Sequence, residues 1–213
     1  MADYKKIVPF ILKFETGQQI KKGEDLETYF NRARKHGFAN DPVDRGGATC
    51  CGVTIATFTS YRLSLKKAAP SVDELKSISL TEWLALFKKL FWDKWQADKI
   101  QTQGIANLLV DWVWASGSYG ITKAQSVLGV VSDGIVGQKT LNAVNSGNQT
   151  EVFAKLKKSR VDFVIGICVR SLVSFEKKHG RKATEKEKNT LTQYKFKNGW
   201  LRRINAINFN SLD

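Results

Sequence analysis

The sequence predicts an all-α protein. Three observations carry that reading: apolar residues recur at three- and four-residue spacing in most segments, start and stop signals sit at the ends of those segments, and no convincing strand pattern interrupts them. Ile7, Phe10, Ile11 and Phe14 lay out the first helix, and Gly17 stops it, so Glu15 falls in the last turn. An acid there lies at the negative end of the helix dipole and next to a partly apolar face; the plainer reading of such a residue is a solvated surface glutamate. Residues 18–37 are polar, with Leu26, Tyr29, Phe30 and Ala33 at helical spacing and Gly37 as terminator, which predicts a short surface helix. Residues 38–53 read as a turn-rich loop built on Asn40-Asp41-Pro42 and Gly46-Gly47. Helix resumes at Ile55. Ser79 and Glu82 form a capping box at the head of a helix through Trp83, Phe87, Leu90 and Phe91. Further helices are predicted over 105–114, about 138–144, about 149–175, near 185–196 and 200–207, with Asp133 to Gly137 as a turn between two of them. Most of the tryptophans (83, 92, 95, 112, 114 and 200) read as core.

The chain has 213 residues, 42% apolar and 25% charged, the balance of a globular protein with a sizeable core and not of a disordered or fibrous one. No apolar run approaches the roughly 20 residues of a membrane span, and the first residues lack the order of a signal peptide. A soluble chain made in the cytoplasm is the expectation. Lys and Arg number 34 against 20 acids, for a net charge of +14, which implies an anionic partner or surface: nucleic acid, acidic lipid or a bacterial envelope. The plainer reading of that excess is a solvated surface. Cys50, Cys51 and Cys168 are odd in number with two adjacent, so no disulfide framework is suggested. With two histidines a zinc site has too few ligands, and no metal is expected. Phosphate-cradling glycine loops, a Gly-x-Ser-x-Gly elbow and zinc-finger spacing are missing. A helix-turn-helix stays open on pattern alone.

One constellation is specific. Glu15-Thr16-Gly17, then Phe38-Ala39-Asn40-Asp41-Pro42-Val43-Asp44-Arg45-Gly46-Gly47-Ala48-Thr49, then Gly52-Val53-Thr54, resemble one signature. It is similar to the E-G-G-Y-x-N-x-P-x-D-x-G-G-x-T-x-x-G-I-T run of the peptidoglycan-degrading muramidases of glycoside hydrolase family 108. Asp133-Gly134-Ile135-Val136-Gly137-Gln138-Lys139-Thr140-Leu141 resembles the D-G-x-x-G-x-x-T-L signature of the peptidoglycan-binding domain that follows in that family, and Gly199-Trp200-Leu201-Arg202-Arg203 its closing G-W-L-x-R. Family members pass directly from the acid to the aspartate loop, whereas residues 18–37 intervene here. Without those twenty residues Glu15 and Asp44 stand nine apart, the family spacing. Thr16 replaces the first glycine and Phe38 the tyrosine.

The resemblance implies a lysozyme-like helical fold, with a catalytic domain at 1–95 (insert 18–37) and a peptidoglycan-binding helical domain at 96–213. It implies a muramidase that cuts the β-1,4 bond between N-acetylmuramic acid and N-acetylglucosamine without cofactor. Cleaving a glycosidic bond needs one acid to protonate the leaving oxygen and a second group to attack or to activate water. By resemblance Glu15 is the general acid, Asp44 the second carboxylate and Thr49 the residue that holds a water; Phe38 and Asn40 are candidate substrate contacts. A glutamate–aspartate–threonine set similar to that of phage-type lysozymes implies inversion; the carboxylate separation decides inversion against retention, and sequence does not show it. Asp44 also suits a turn cap and Thr49 a turn or strand edge. Phe38, Trp92 and Trp114 are candidates for sugar stacking, with core packing as the alternative. From 155 to 203 there are fifteen bases against four acids, a surface able to hold a wall hydrolase on an anionic envelope. The partners expected are peptidoglycan glycan strands and that envelope, with no nucleic acid and a monomeric chain. Release through a holin, as for a phage or prophage endolysin, or through a secretion system would bring it to the cell wall. Two rivals stand beside this: a non-catalytic peptidoglycan-binding protein, motivated by the insert, and a basic nucleic-acid-binding protein, motivated by charge.

Overall fold

The computed structural model describes residues 1–40 and 47–212, and it is mostly helical, as the periodicity predicts. The chain divides into two compact units, one of Asp3–Asp98 and one of Met1–Ala2 with the chain from Lys99.

In the first unit a 3-10 turn, Tyr4–Ile7, leads into α1 (Val8–Thr16). Pro9 stands in its first turn, where a missing N–H is harmless, and Gly17 ends it at φ +70°. Ile7, Ile11 and Leu12 are wholly buried. α2 (Leu26–His36) starts on the Asp25 carboxylate, which accepts from Thr28 N at 2.9 Å, and ends at Gly37. It is the short helix the sequence suggests, exposed along its polar face, with Tyr29, Phe30 and Ala33 of its apolar stripe fully buried. Its polar face hides how much it contributes, since each large apolar side chain buried supplies about 1.5–3 kcal/mol.

The segment read as a loop contains a small antiparallel sheet, order β1–β2–β3, of β1 (Phe38–Ala39), β2 (Thr49–Cys50) and β3 (Val53–Thr54). Strands of two residues have no room to display alternation, which is why the sequence conceals them. Phe38 pairs with Cys50 and Ala39 with Thr49; Thr49 pairs in turn with Thr54 and Cys50 with Val53. Cys51 and Gly52 turn the second hairpin at φ 48° and 77°, positive at both central positions as a type I′ turn requires.

α3 (Ile55–Ser64), α4 (Val72–Lys76) and α5 (Leu80–Phe87) complete the unit, α5 running on through a π turn at Lys88–Trp92. Ser79 caps α5 by accepting from Glu82 N at 3.1 Å, while the Glu82 carboxylate pairs with Arg62 at 2.8 Å. Trp83, Trp92 and Trp95 are wholly buried, so Trp92 is core and not a sugar contact. Trp83 stacks on Phe87 at 5.3 Å and meets Phe30 at 5.9 Å.

The second unit is built around α6 (Gln103–Ser116), buried continuously from Gly104 to Val113. α7 (Tyr119–Val127), which the apolar pattern does not reveal, packs against it. The close approach requires Gly120, where an added Cβ would sit 2.6 Å from Val113 N and 2.7 Å from the Trp112 carbonyl carbon. α8 (Gln138–Asn145) follows, then α9 (Gln149–His179), α10 (Glu185–Leu191) and α11 (Tyr194–Asn205), with α9 packing on α6, α7 and α11. The helices predicted near 185–196 and 200–207 thus divide elsewhere, at Thr192-Gln193.

Candidate active site

The site the sequence points to begins at the end of α1. Glu15 is half-buried in the last helical turn, and the αL glycine that follows turns the chain away from it. Thr16 folds its hydroxyl back onto the helix, donating to Leu12 O at 2.7 Å and accepting from Gln18 N at 3.2 Å. The chain then departs through α2 and returns to the same place. A Cβ on Gly37 would lie 2.7 Å from Thr16 Cγ2 and 3.2 Å from both N and Sγ of Cys51, so only glycine lets these segments touch without a shift. Cys51 N donates to Gly37 O at 2.9 Å. The end of α1 that carries Glu15 is therefore held against the start of β1 and the β2–β3 turn.

Polar contacts fix this return. The Tyr29 hydroxyl donates to Gln18 O at 2.6 Å, with Pro9 O at 3.3 Å. Arg32 clamps Glu24 at 2.7 Å and also reaches Gln18 and Gln19, which holds the Glu24 carboxyl down to about 2. Arg34 donates to Ser77 O and Ile78 O, each at 2.7 Å, and so fastens the C-terminal end of α2. Cys50 and Cys51 are buried side by side as free thiols. Their mutual hydrogen bond pushes Cys51 upward, with burial and the charges of Cys50 and Glu15 adding to it and Arg34 opposing. The same hydrogen bond lowers Cys50 against the effect of burial, with Arg34 assisting. Glu15 is thus within electrostatic reach of Cys51.

The register sorts the remaining candidates. Cys50 and Val53 point into the core, so Thr49, with its pairing partners Ala39 and Thr54, faces the opposite side of the sheet. Thr49 is half-buried in the central strand, not at an edge, and its hydroxyl lies 3.5 Å from Gly47 O. Asn40 continues β1 and is exposed. Phe38 is half-buried with the Lys76 ammonium over its ring at 5.4 Å, so one ring face already has a partner. Asp44 lies outside the described residues. Among the described residues no group of three or more His, Cys, Asp and Glu side chains could hold a metal ion, and no helix is long and apolar enough to cross a membrane.

The two C-terminal motifs resolve into architecture. Asp133 accepts from Ile135 N and from Gln125 Nε2, both at 2.9 Å, while Gln125 Oε1 accepts from Gly134 N at 2.9 Å. Gly134 takes φ +76°, and the motif is a turn locked by one buried glutamine of α7. Arg203, the final residue of the closing motif, pairs with Asp111 on α6 at 2.7 Å, and Arg160 of α9 pairs with the same carboxylate at 2.7 Å. Asp111 and Arg160 carry no periodic signal that marks them; the sequence reading passes over both.

Family models match most of the chain: "Glycosyl hydrolase 108" over residues 32–117 and "Predicted Peptidoglycan domain" over residues 119–205. The first match contains Phe38, Asn40, Asp44 and Thr49 and begins after Glu15. A comparison with curated proteins returns no match. Among solved structures, one titled as that of Brucella abortus SagA is 24% identical over 84% of this chain and 90% of that chain, with a TM-score of 0.59, a likeness of fold. The chain carries a glycosyl hydrolase 108 domain, that of a glycoside hydrolase acting on peptidoglycan, together with a predicted peptidoglycan domain.

Proposed function

We propose that the protein is a muramidase, hydrolysing the β-1,4 bond between N-acetylmuramic acid and N-acetylglucosamine, with Glu15 as general acid. One observation carries the assignment of Glu15: the helix end that bears it meets the chain again at Gly37 and Cys51, directly beside the motif-bearing strands. Read without a gap, the family signature would set Lys35 at the position of the acid, and an ammonium group cannot serve as a glycosidase's carboxylic acid. The excursion through α2 restores a carboxyl group to the junction.

In this mechanism the Glu15 carboxyl donates its proton to the bridging oxygen as the bond from that oxygen to C1 of N-acetylmuramic acid breaks. Asp44 takes a proton from a water held by Thr49, and the water oxygen bonds to C1. The products are a reducing N-acetylmuramic acid end and a free 4-hydroxyl on N-acetylglucosamine; solvent returns the proton from Asp44 to Glu15. Catalysis falls to the chain up to about residue 95 and wall attachment to the remainder. The enzyme acts at the cell wall, reached through a holin or a secretion system.

The test is product release from purified sacculi by wild type and Glu15→Gln, with muropeptides resolved by mass and reducing-end sugar. Wild type should release fragments ending in reducing N-acetylmuramic acid, and the variant should lose about 10²–10⁴-fold in rate, the usual contribution of a general acid. Sacculus binding without release by wild type would establish the second reading, a wall-binding protein without catalysis, which the insert between acid and aspartate motivates.

A further inference from the structure

We infer that the cavity between α6, α7 and α9 is a binding subsite for carboxylate-bearing peptidoglycan; this rests on the functional reading above and assigns it a place in the second unit. The cavity is a solvent-open cleft of about 730 Å³, within the usual range for small-molecule sites. Its wall holds Tyr119 and Phe163, and its polar groups include Ser116, Ser159, Lys123 and Arg170.

The rings form a supported platform. Trp112, wholly buried, lies 6.1 Å from Phe163, which in turn lies 5.6 Å from Tyr119. Tyr119 is 59% exposed, so most of its ring is open to a ligand. A flat, rigid, amphipathic ring matches the C–H face of a pyranose, and its two side-chain torsions leave little entropy to lose on contact. The charge is as specific as the shape. Asp162 at the rim is already engaged by Lys158 at 2.6 Å. Lys123 and Arg170, among the described residues, have no hydrogen-bond or ion-pair partner, and both are exposed. Gly166, one helical turn before Arg170, leaves its guanidinium room to lie along α9: a Cβ there would stand 3.0 Å from Nη1. Two unpaired cations beside an aromatic ring call for a sugar that carries an anion, with arginine suited to grip a carboxylate through two parallel bonds. In peptidoglycan that carboxylate comes either from the lactyl group of a peptide-free muramic acid or from the stem peptide.

The experiment titrates full-length Glu15→Gln protein, which binds without turnover, against three probes. These are the muramyl disaccharide with its stem peptide, the peptide-free disaccharide with a free lactyl carboxylate, and a neutral N-acetylglucosamine oligomer. Adding Lys123→Ala and Arg170→Ala should weaken a carboxylated probe about tenfold or more, as expected for charge-assisted hydrogen bonds, and leave the neutral oligomer unchanged. Loss confined to the stem-peptide probe assigns the carboxylate to the peptide; loss confined to the peptide-free disaccharide assigns it to the lactyl group, and loss with both means that the two cations accept either carboxylate. Tyr119→Ala should weaken all three. With Glu15 restored, the same variants should raise KM for sacculi and leave kcat alone. Circular dichroism confirms folding, which substitution of exposed side chains leaves intact. Variants that bind all probes like their parent, while wild type still releases fragments, would overturn the subsite and spare the muramidase reading. A parent that binds none of the probes, with a wild type that releases nothing, overturns both.

Discussion

Replacing Asp111 with asparagine removes one negative charge from a fully buried position. The carboxylate has no exposed surface, Arg160 retains 2%, and the Arg203 side chain 13%. Both oxygens are used: Arg203 Nε approaches them at 3.0 and 3.2 Å, Arg203 Nη2 takes Oδ1 at 2.7 Å, and Arg160 Nη2 takes Oδ2 at 2.7 Å. Asparagine keeps the volume and one acceptor but leaves two guanidiniums facing a neutral group. Arg203 can turn toward solvent at the rim; Arg160 cannot. Breaking a buried pair by removing one partner costs about 3–5 kcal/mol, and the stranded Arg160 places this case within that range. Such a loss is a large part of the ~5–15 kcal/mol that holds a domain folded, and moves the urea midpoint by more than about 1 M. Urea unfolding followed by tryptophan fluorescence reports it, since Trp112 adjoins Asp111 in α6. Adding Arg160→Met removes the stranded cation, so the double variant should recover part of the loss. The pH dependence has a definite sign. Burial raises the Asp111 pKa, but Arg203 and Arg160 outweigh it and hold it below its ordinary 3.8. The stabilisation is thus fully present above that value and declines as pH falls through the lower folded-state value. The gap between wild type and Asp111→Asn should be constant from pH 5 to 8 and should narrow only below about pH 4. A change of less than about 0.5 kcal/mol, or an Arg160→Met that adds to the damage instead of relieving it, refutes the reasoning.

Gly37→Ala drives a methyl against Thr16 and Cys51 at the junction below Glu15, and should cost about 1–3 kcal/mol with reduced release of fragments. Thr16→Ser, which removes Cγ2 yet keeps the hydroxyl, should recover part of both losses; additive damage in the double variant would mean that the two segments do not touch. Tyr29 gives a second pH test. Burial pushes its hydroxyl up to about 12, Glu24 adding and Arg32 opposing, whereas an unfolded tyrosine ionises near 10. The stabilisation of its neutral form is complete below pH 10 and is lost as pH rises from 10 through 12. Wild type should lose urea resistance more steeply than Tyr29→Phe across that interval, and parallel curves would exclude the assignment.

By itself the sequence determined what local chemistry governs. The 3.6-residue recurrence of Ile7, Phe10, Ile11 and Phe14 and the αL propensity of Gly17 are enough to place Glu15 in a last helical turn. Gly134 and Asp133 likewise announce their turn, because it is made by the conformation and short reach of neighbouring residues. Contacts between distant residues decided the rest. The spacing of Leu26, Tyr29, Phe30 and Ala33 marks an apolar stripe within residues 18–37, but a stripe does not say which neighbour covers it, and only the fold supplies α1 and α5 as its partners. Strands of two residues carry no period, so the sheet that turns Thr49 away from Cys50 exists only through pairing across the chain. The closing arginine of Gly-Trp-Leu-Arg-Arg is visible as a motif, but its use is not. Arg203 meets Asp111 from 92 residues away, and a buried charge declares its partner only when both have left water together.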